Sequence, residues 1–497
     1  MKLIQDVMTW FHNEDPACPQ LFFLNGIAGI GKSTVASTVA SLADEAGELG
    51  ASHFFSRING RTNPANVLTS FAFQLANRDP TMKKEIAQAL EDDPDAGFQV
   101  IKDQLRKLIV EPLARLDPPP PRLLIVIDAL DECQEAGADE LLSHLLSQLN
   151  ATPFIKVLIT GRPEQHIVST FTRRKGHQGV VMHDIEQHIM EGDIEIFLRA
   201  KLTETQEEYR RIGVEWKWTE QQLAMLVKRG GKLFVYAVTV YKYIKDRIVG
   251  DPEAQMKIVL DTKIPPDSTS PYADLDALYL QLIRISIPPS NRDARPVKRF
   301  QEVVGTIITL IEPLPIDSLA RLTGTNEGQI RVELSKFPSV ISAPTSSCDT
   351  PEIYHPSFPD FLKDPQRCDD HRFLVIPSRI HARLASSCLT LMTTHLKRDI
   401  CDIKDPSKLN KEVEGLGDRV QKAIPPWLRY ACLHWEEHVI NAPVRDPGVM
   451  AHLEDFCQRA LLYWLEALSV MGCLERATSF LDQIRNWAVS FRNIYER

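Results

Sequence analysis

Apolar positions along the chain follow two rhythms. Leu21-Phe22-Phe23-Leu24, Leu123-Leu124-Ile125-Val126-Ile127 and the run Ile155-Lys156-Val157-Leu158-Ile159 are short stretches with few polar interruptions. Such runs suit strands buried on both faces of a parallel sheet. Between them the spacing turns helical. Ile4, Val7, Met8 and Phe11 share one face of an N-terminal helix, and Val35, Ala36, Val39, Ala40 and Ala43 line another. Residues 63–116 read as largely helical, with Val67, Phe71, Leu75, Leu105, Leu108 and Ile109 as core positions. Val180-Val181-Met182 completes the sheet. Strands alternating with helices predict an α/β fold whose parallel sheet is flanked by helices.

Beyond residue 190 the strand rhythm fades. Residues 190–260 read as a small helical domain, and Lys263 to Ser270, with Pro265 and Pro266, as a hinge. Helices are expected over Val303 to Leu310 and Ile316 to Leu322, with short strands near Val340 and Ile353. Residues 377–497 read as helical. Trp427, Leu428, Ala431, Cys432, Trp435 and Val439 form one apolar stripe, and Leu461, Leu462, Trp464, Leu465 and Leu468 a second. Both read as core, with a partner-binding surface as the other reading.

Composition narrows the class. A chain of 497 residues exceeds what one hydrophobic core serves, which predicts two to four domains. With 43% hydrophobic and 25% charged residues it is neither disordered nor membrane-spanning in pattern. The N-terminus lacks the apolar core and cleavage site of a secretory signal. Nine scattered cysteines with no C-x-x-C pair fit reduced thiols in the cytoplasm better than disulfides or a zinc site. A formal charge of −9 weighs against nucleic acid as a main partner.

The candidate chemistry sits at the strand ends. Gly26-Ile27-Ala28-Gly29-Ile30-Gly31-Lys32-Ser33, followed by Thr34, fits G-x-x-x-x-G-K-[ST]. Glycines let such a loop turn its N–H groups toward phosphate oxygens at a helix N-terminus. Lys32 would reach the β- and γ-phosphates, and the Ser33 hydroxyl would ligate Mg²⁺. An accidental glycine-rich turn is the alternative; the strand before and the helix after weigh against it. Asp128 ends the second apolar run, where open α/β sheets bind ligands, and would hold Mg²⁺ through its water shell. Asp131 and Glu132 follow, either orienting the attacking water or forming a solvated helix N-terminus. Arg162 ends the third run, as a γ-phosphate sensor or as a surface arginine before a proline turn. Strand, loop, helix, acidic strand and arginine strand in this order read as a P-loop NTPase.

GIAGIGKST, LLIVIDALDEC and VLITGRPE together resemble the NACHT class of signal-transducing (STAND) ATPases, in the variety abundant in filamentous fungi. HFFSR at 53–57 resembles its second strand, GDIEIFL at 192–198 the opening of its helical segment, and GGKLFVYA at 230–237 its G-x-L-F-x-Y-A stretch. PYADLDALYLQLI at 271–283, IYHPSFPDFL at 353–362, and two helical stretches near 424–439 and 461–472 extend the likeness over nearly the whole chain. The resemblance implies an N-terminal helix (1–20), a NACHT P-loop core (21–189), a small helical domain (190–265), a winged-helix-like domain (266–365) and a C-terminal helical region (366–497). It implies ADP clamped between P-loop and winged-helix domains, with exchange for ATP freeing the protein to oligomerise. His355 falls where relatives carry a histidine that touches the ADP β-phosphate, although Pro356 replaces the usual aspartate. The family's adenine-packing proline near 232–235 is missing.

The chain would thus be a switch without an evident effector domain before it or repeats after it. Partners would be nucleotide and related NACHT chains, with neither nucleic acid nor membrane. Two other classes stay open: an enzyme that spends ATP on a bound substrate, and a non-hydrolysing module in which nucleotide is structural.

Overall fold

The computed structural model of the chain describes residues 2–133, 135–173, 177–182, 187–246, 249–263, 270–288, 293–405 and 407–490. They form two compact units, Met1–Leu275 and Asp276–Arg497. Apart from its two end residues, the hinge expected at 263–270 lies outside the described residues.

The first unit is built on five parallel strands: β1 (Leu21–Asn25), β2 (Leu49–Phe54), β3 (Leu123–Asp128), β4 (Ile155–Gly161) and β5 (His177–Val181), in the order β2-β3-β4-β1-β5. Every residue of β1, β3 and β4 is buried, which is why these segments read as unbroken apolar runs. Alternate side chains serve opposite faces. Leu21, Phe23, Ile125, Ile127, Val157 and Ile159 pack under helices that include Ala65–Arg78 and Glu135–Gln148. Phe22, Leu24, Leu124, Val126 and Leu158 pack under α1 (Lys2–His12) and α2 (Lys32–Glu45). β2 begins earlier than the HFFSR stretch suggested, at Leu49.

Lys156 is the one charged residue in the interior of β4, and it is 3% exposed. Its ammonium donates to the carbonyls of Trp10 (2.6 Å) and Asn13 (3.0 Å), at the C-terminal end of α1. Arg122 donates to Phe11 O and Asn13 O nearby. A helix C-terminus leaves carbonyls unpaired and carries partial negative charge, so two cations there both cap and hold α1. The remaining first-unit helices include α3 (Gln187–Arg211), Glu220–Gly230, α4 (Phe234–Ile244) and Pro252–Leu260. The next helix, α5 (Ala273–Ser286), carries the chain into the second unit.

The second unit is largely helical. Helices Arg295–Ile307, Ile316–Thr323 and Glu327–Leu334 precede a two-residue antiparallel pair, β6 (Ile341–Ser342) with β7 (Glu352–Ile353). α6 (Pro377–His395) and α7 (Pro426–Asn441) pack together, followed by three more helices. The aromatic core joins Trp435 and Trp464 edge to face at 5.7 Å, with Phe456 against both. Leu462 departs from its expected stripe and is 75% exposed, and Trp427 is half-buried with its ring edge-on to His395. Among the described residues no helix is long and apolar enough to cross a membrane.

A buried hydrogen-bonded relay links the α6–α7 pair. The Ile311 N–H donates to the Tyr430 hydroxyl, which lies 2.7 Å from His438 Nε2; His438 Nδ1 lies 2.8 Å from His381 Nδ1. With Tyr430 donating to Nε2, His438 must carry its proton on Nδ1 and give it to His381. Both rings are therefore neutral. Burial drives His438 far below the usual imidazole range and His381 down to about 4, with Lys363 also opposing His381 protonation. The unfolded chain takes up these protons near pH 6.5, whereas the folded chain resists until far lower. Stability is accordingly full above pH 6.5 and falls as pH drops toward 4. The denaturation midpoint of the second unit is expected to fall between pH 7.5 and 5 by an amount worth about 2 kcal/mol per histidine. Urea titrations that follow Trp435 and Trp464 fluorescence check this, and a midpoint indifferent to pH would contradict the relay.

Candidate functional site

The loop after β1 turns through Gly29 (φ +82°) and Gly31 (φ +107°), both in the left-handed region where a side chain would be strained. It delivers Lys32 to the first turn of α2, buried, with Ser33 and Thr34 exposed beside it. Gly26, Ala28, Gly29 and Ile30 are buried, and Ile27 is half-buried. Lys32 Nζ donates to Gly26 O (2.7 Å) and Ile27 O (3.1 Å). Burial lowers its pKa to about 8, partly offset by the negative charges of Asp131, Asp128 and Glu132.

Asp128 ends β3 at 3% exposure. It accepts a 2.5 Å hydrogen bond from Thr160 Oγ1 and another from the Ser33 hydroxyl. Burial raises its pKa against these bonds. Ala129 then adopts φ +54°, a left-handed conformation costing about 1–2 kcal/mol for a residue with a Cβ. Its N–H donates to Thr160 Oγ1 (3.0 Å), so one hydroxyl on β4 fixes both the carboxylate and the strained turn. The turn brings Leu130–Glu132 back across the sheet end as a short 3-10 helix.

Asp131 is 5% exposed and paired with Arg162: Oδ1 accepts from the Arg162 backbone N–H (2.9 Å), and Oδ2 lies 3.2 Å from Nε. Glu132 accepts from the Arg57 backbone N–H (2.8 Å), and the Arg57 guanidinium donates to Asp131 O. Burial raises the Glu132 pKa. Three carboxylates and three cations thus share this edge of the sheet.

The structure brings together every residue expected from the loop and the two later strands. His355 belongs to the second unit, where its Nδ1 accepts from Ser357 N–H (3.0 Å) and lies 2.7 Å from Ser357 Oγ. Arg57 and Thr160 were missed as site residues. Thr160 was findable as a polar side chain within an apolar strand, whereas nothing local marks Arg57. Also missed was a cavity of about 520 Å³ beside the loop. Ile30, Gly31 and Thr34 line it with Ile4 of α1, Ile189 and Phe197 of α3, and Phe234 of α4. An apolar cleft of that volume beside a phosphate loop suits a planar base.

Oxygen donors alone, a hydroxyl on a buried carboxylate, suit a hard divalent cation such as Mg²⁺. Ser33 and Asp128 are the residues that would hold it.

The nephrocystin-3 N-terminal family model matches residues 3–162, less than half of the chain. Among curated proteins none matches. Solved structures that the chain matches include the Walker-type ATPase PABY2304 of Pyrococcus abyssi (15% identity, 72% of this chain and 94% of that one, TM-score 0.35). The Aeropyrum pernix Orc1 protein in complex with DNA shares 12% identity over 75% of this chain and 91% of that one, TM-score 0.32. The Drosophila ORC bound to poly(dA/dT) DNA and Cdc6 shares 11% over 93% and 70%, TM-score 0.25. With the Gly26–Ser33 loop between β1 and α2 and Asp128 at the end of β3, the parallel-sheet unit has the arrangement of a P-loop NTPase.

Arg162→Ala would leave the Asp131 carboxylate buried with a backbone N–H as its remaining partner here. Breaking a buried pair costs about 3–5 kcal/mol, and the 29% exposure of Arg162 reduces this to about 1–3 kcal/mol. The expected result is a lower denaturation midpoint that a second change, Asp131→Ala, partly restores. Additive losses in the double variant would exclude the pairing.

Proposed function

We propose that the chain is an ATP/ADP-dependent molecular switch of the NACHT class that hydrolyses nucleotide slowly. The observation that carries this reading is the convergence of Lys32, the Ser33–Asp128 pair and Glu132 on one edge of the sheet, next to an apolar cavity. In this reading loop amides and Lys32 bind the phosphates, and the base enters the cavity against Phe234, in place of the family's missing proline. Mg²⁺ held by Ser33 and Asp128 would offset phosphate charge. Arg162 is the γ-phosphate sensor, held by Asp131 until a stronger anion competes. With Asp131 so engaged, Glu132 is the better group to orient water, because burial brings its proton affinity closer to neutral pH.

A switch also needs a segment outside the sheet that reads the loop. The N–H of Val235, in the first turn of α4, donates to Gly29 O (3.1 Å), which supports such coupling. We assign residues 266–365 as the winged-helix-like domain, 366–497 as the helical spacer, and His355 as the candidate β-phosphate contact. The expected partners are further NACHT chains in the cytoplasm; the charge of −9 speaks against nucleic acid.

Denaturing the purified chain and chromatographing what is released is expected to yield stoichiometric ADP. Lys32→Ala should yield none and bind added ADP at least tenfold more weakly; retained affinity would remove the phosphate-cradle assignment. Glu132→Gln is expected to slow ATP hydrolysis tenfold or more with little change in ATP affinity. Unchanged turnover would take the water-orienting role away from Glu132.

A further inference from the structure

One contact to the phosphate loop comes from far along the chain. The Ala28 N–H donates to the Tyr272 hydroxyl at 3.2 Å, across 244 residues of sequence. Ala28 lies inside the glycine-rich loop, whose N–H groups are the donors that cradle phosphate oxygens. A peptide N–H has one proton and serves one well-aligned acceptor. We propose that the Tyr272 hydroxyl and a nucleotide phosphate compete for the Ala28 amide, which makes Tyr272 a determinant of nucleotide affinity and a reporter of loop occupancy. The inference rests on the nucleotide-binding reading above and adds a residue that lies outside the glycine-rich loop motif.

The outcome of the competition follows from charge. A hydrogen bond to an anionic phosphate oxygen is about twice as strong as one to a neutral hydroxyl, so phosphate wins the amide. The net affinity is lowered by whatever the tyrosine contact contributes. A neutral intramolecular hydrogen bond of ordinary strength corresponds to a factor of about two to ten in the binding constant.

The position of Tyr272 gives its displacement somewhere to go. It immediately precedes α5, and the Ser270 side chain and carbonyl accept from the Tyr272 and Ala273 N–H groups at the start of that helix. Further along α5, Asp276 makes a two-bond pair with Arg367 (2.7 and 3.1 Å), and the Tyr279 hydroxyl lies 2.9 Å from Ser357 Oγ. Ser357 Oγ is also the partner of His355. Loss of the Ala28 contact therefore frees the turn residue that leads directly into α5.

The test uses the full chain, stripped of nucleotide, titrated with a fluorescent N-methylanthraniloyl ADP, in wild type, Tyr272→Phe and Lys32→Ala. The phenylalanine variant keeps the ring and removes only the hydroxyl. The expected result is three- to tenfold tighter ADP binding by Tyr272→Phe, together with a lower melting temperature of the nucleotide-free variant and a larger ADP-induced rise. Equal or weaker binding by Tyr272→Phe, while Lys32→Ala loses affinity, overturns the competition and leaves the nucleotide reading standing. If wild type binds no ADP and Lys32→Ala does not differ from it, the nucleotide reading falls and the competition with it.

Discussion

The candidate site depends on one constraint: charge taken out of water at the end of the sheet must be matched there. Asp128 and Asp131 are almost wholly covered, and so is Lys32. Isolated buried ions cost several kcal/mol each, which neither a short strand nor a glycine loop could bear. The fold spreads the load over fixed partners. Thr160 and Ser33 hydrogen-bond Asp128, Arg162 pairs with Asp131, the Arg57 backbone serves Glu132, and the loop carbonyls take Lys32. With three carboxylates facing three cations, the edge is close to neutral before any ligand charge is added. Its residues therefore act as a set, in which altering one leaves the charge of its partner unmatched.

That arrangement explains which parts of the molecule were legible in the sequence. Buried parallel strands need apolar runs, so β1, β3 and β4 announced themselves, and loop geometry demands glycine where φ is positive. Asp128 and Lys32 are tied to those local rules and could be placed from them. Thr160 and Arg57 act through partners 31 and about 75 residues away in sequence, a relation that periodicity does not encode. The cavity was hidden for the same reason: its walls come from α1, the loop, α3 and α4, and each contributes residues that look like ordinary core. Amphipathic stripes likewise predicted the helices of the second unit. They could not tell that Leu462 faces solvent while Trp464, two residues on, lies at the centre of an aromatic cluster.

The second unit follows a different economy. Its interior holds aromatic rings and a relay of tyrosine and two neutral histidines, with no matched charges along the relay itself. Its polar chain is satisfied with both rings neutral, so α6 and α7 are bound together by proton placement as well as by apolar packing. The contrast is physical: the sheet edge tolerates ions because counter-ions are built in, whereas the Tyr430–His438–His381 relay stays neutral.

The buried Lys156 has a mechanical consequence. By gripping the C-terminal carbonyls of α1 it fastens that helix to the central sheet at one end. The opposite end, with Lys2, Leu3, Ile4 and Asp6, forms a wall of the cavity beside the loop. An 11-residue helix is about 16 Å long, so the clamp and the wall are the two ends of one rigid rod. The cavity thus has a stationary jaw, anchored through the sheet, facing the jaw that carries Phe234. Any widening or narrowing of the cleft falls to the helical segment as long as Lys156 holds α1, and loss of that grip would free the second jaw as well.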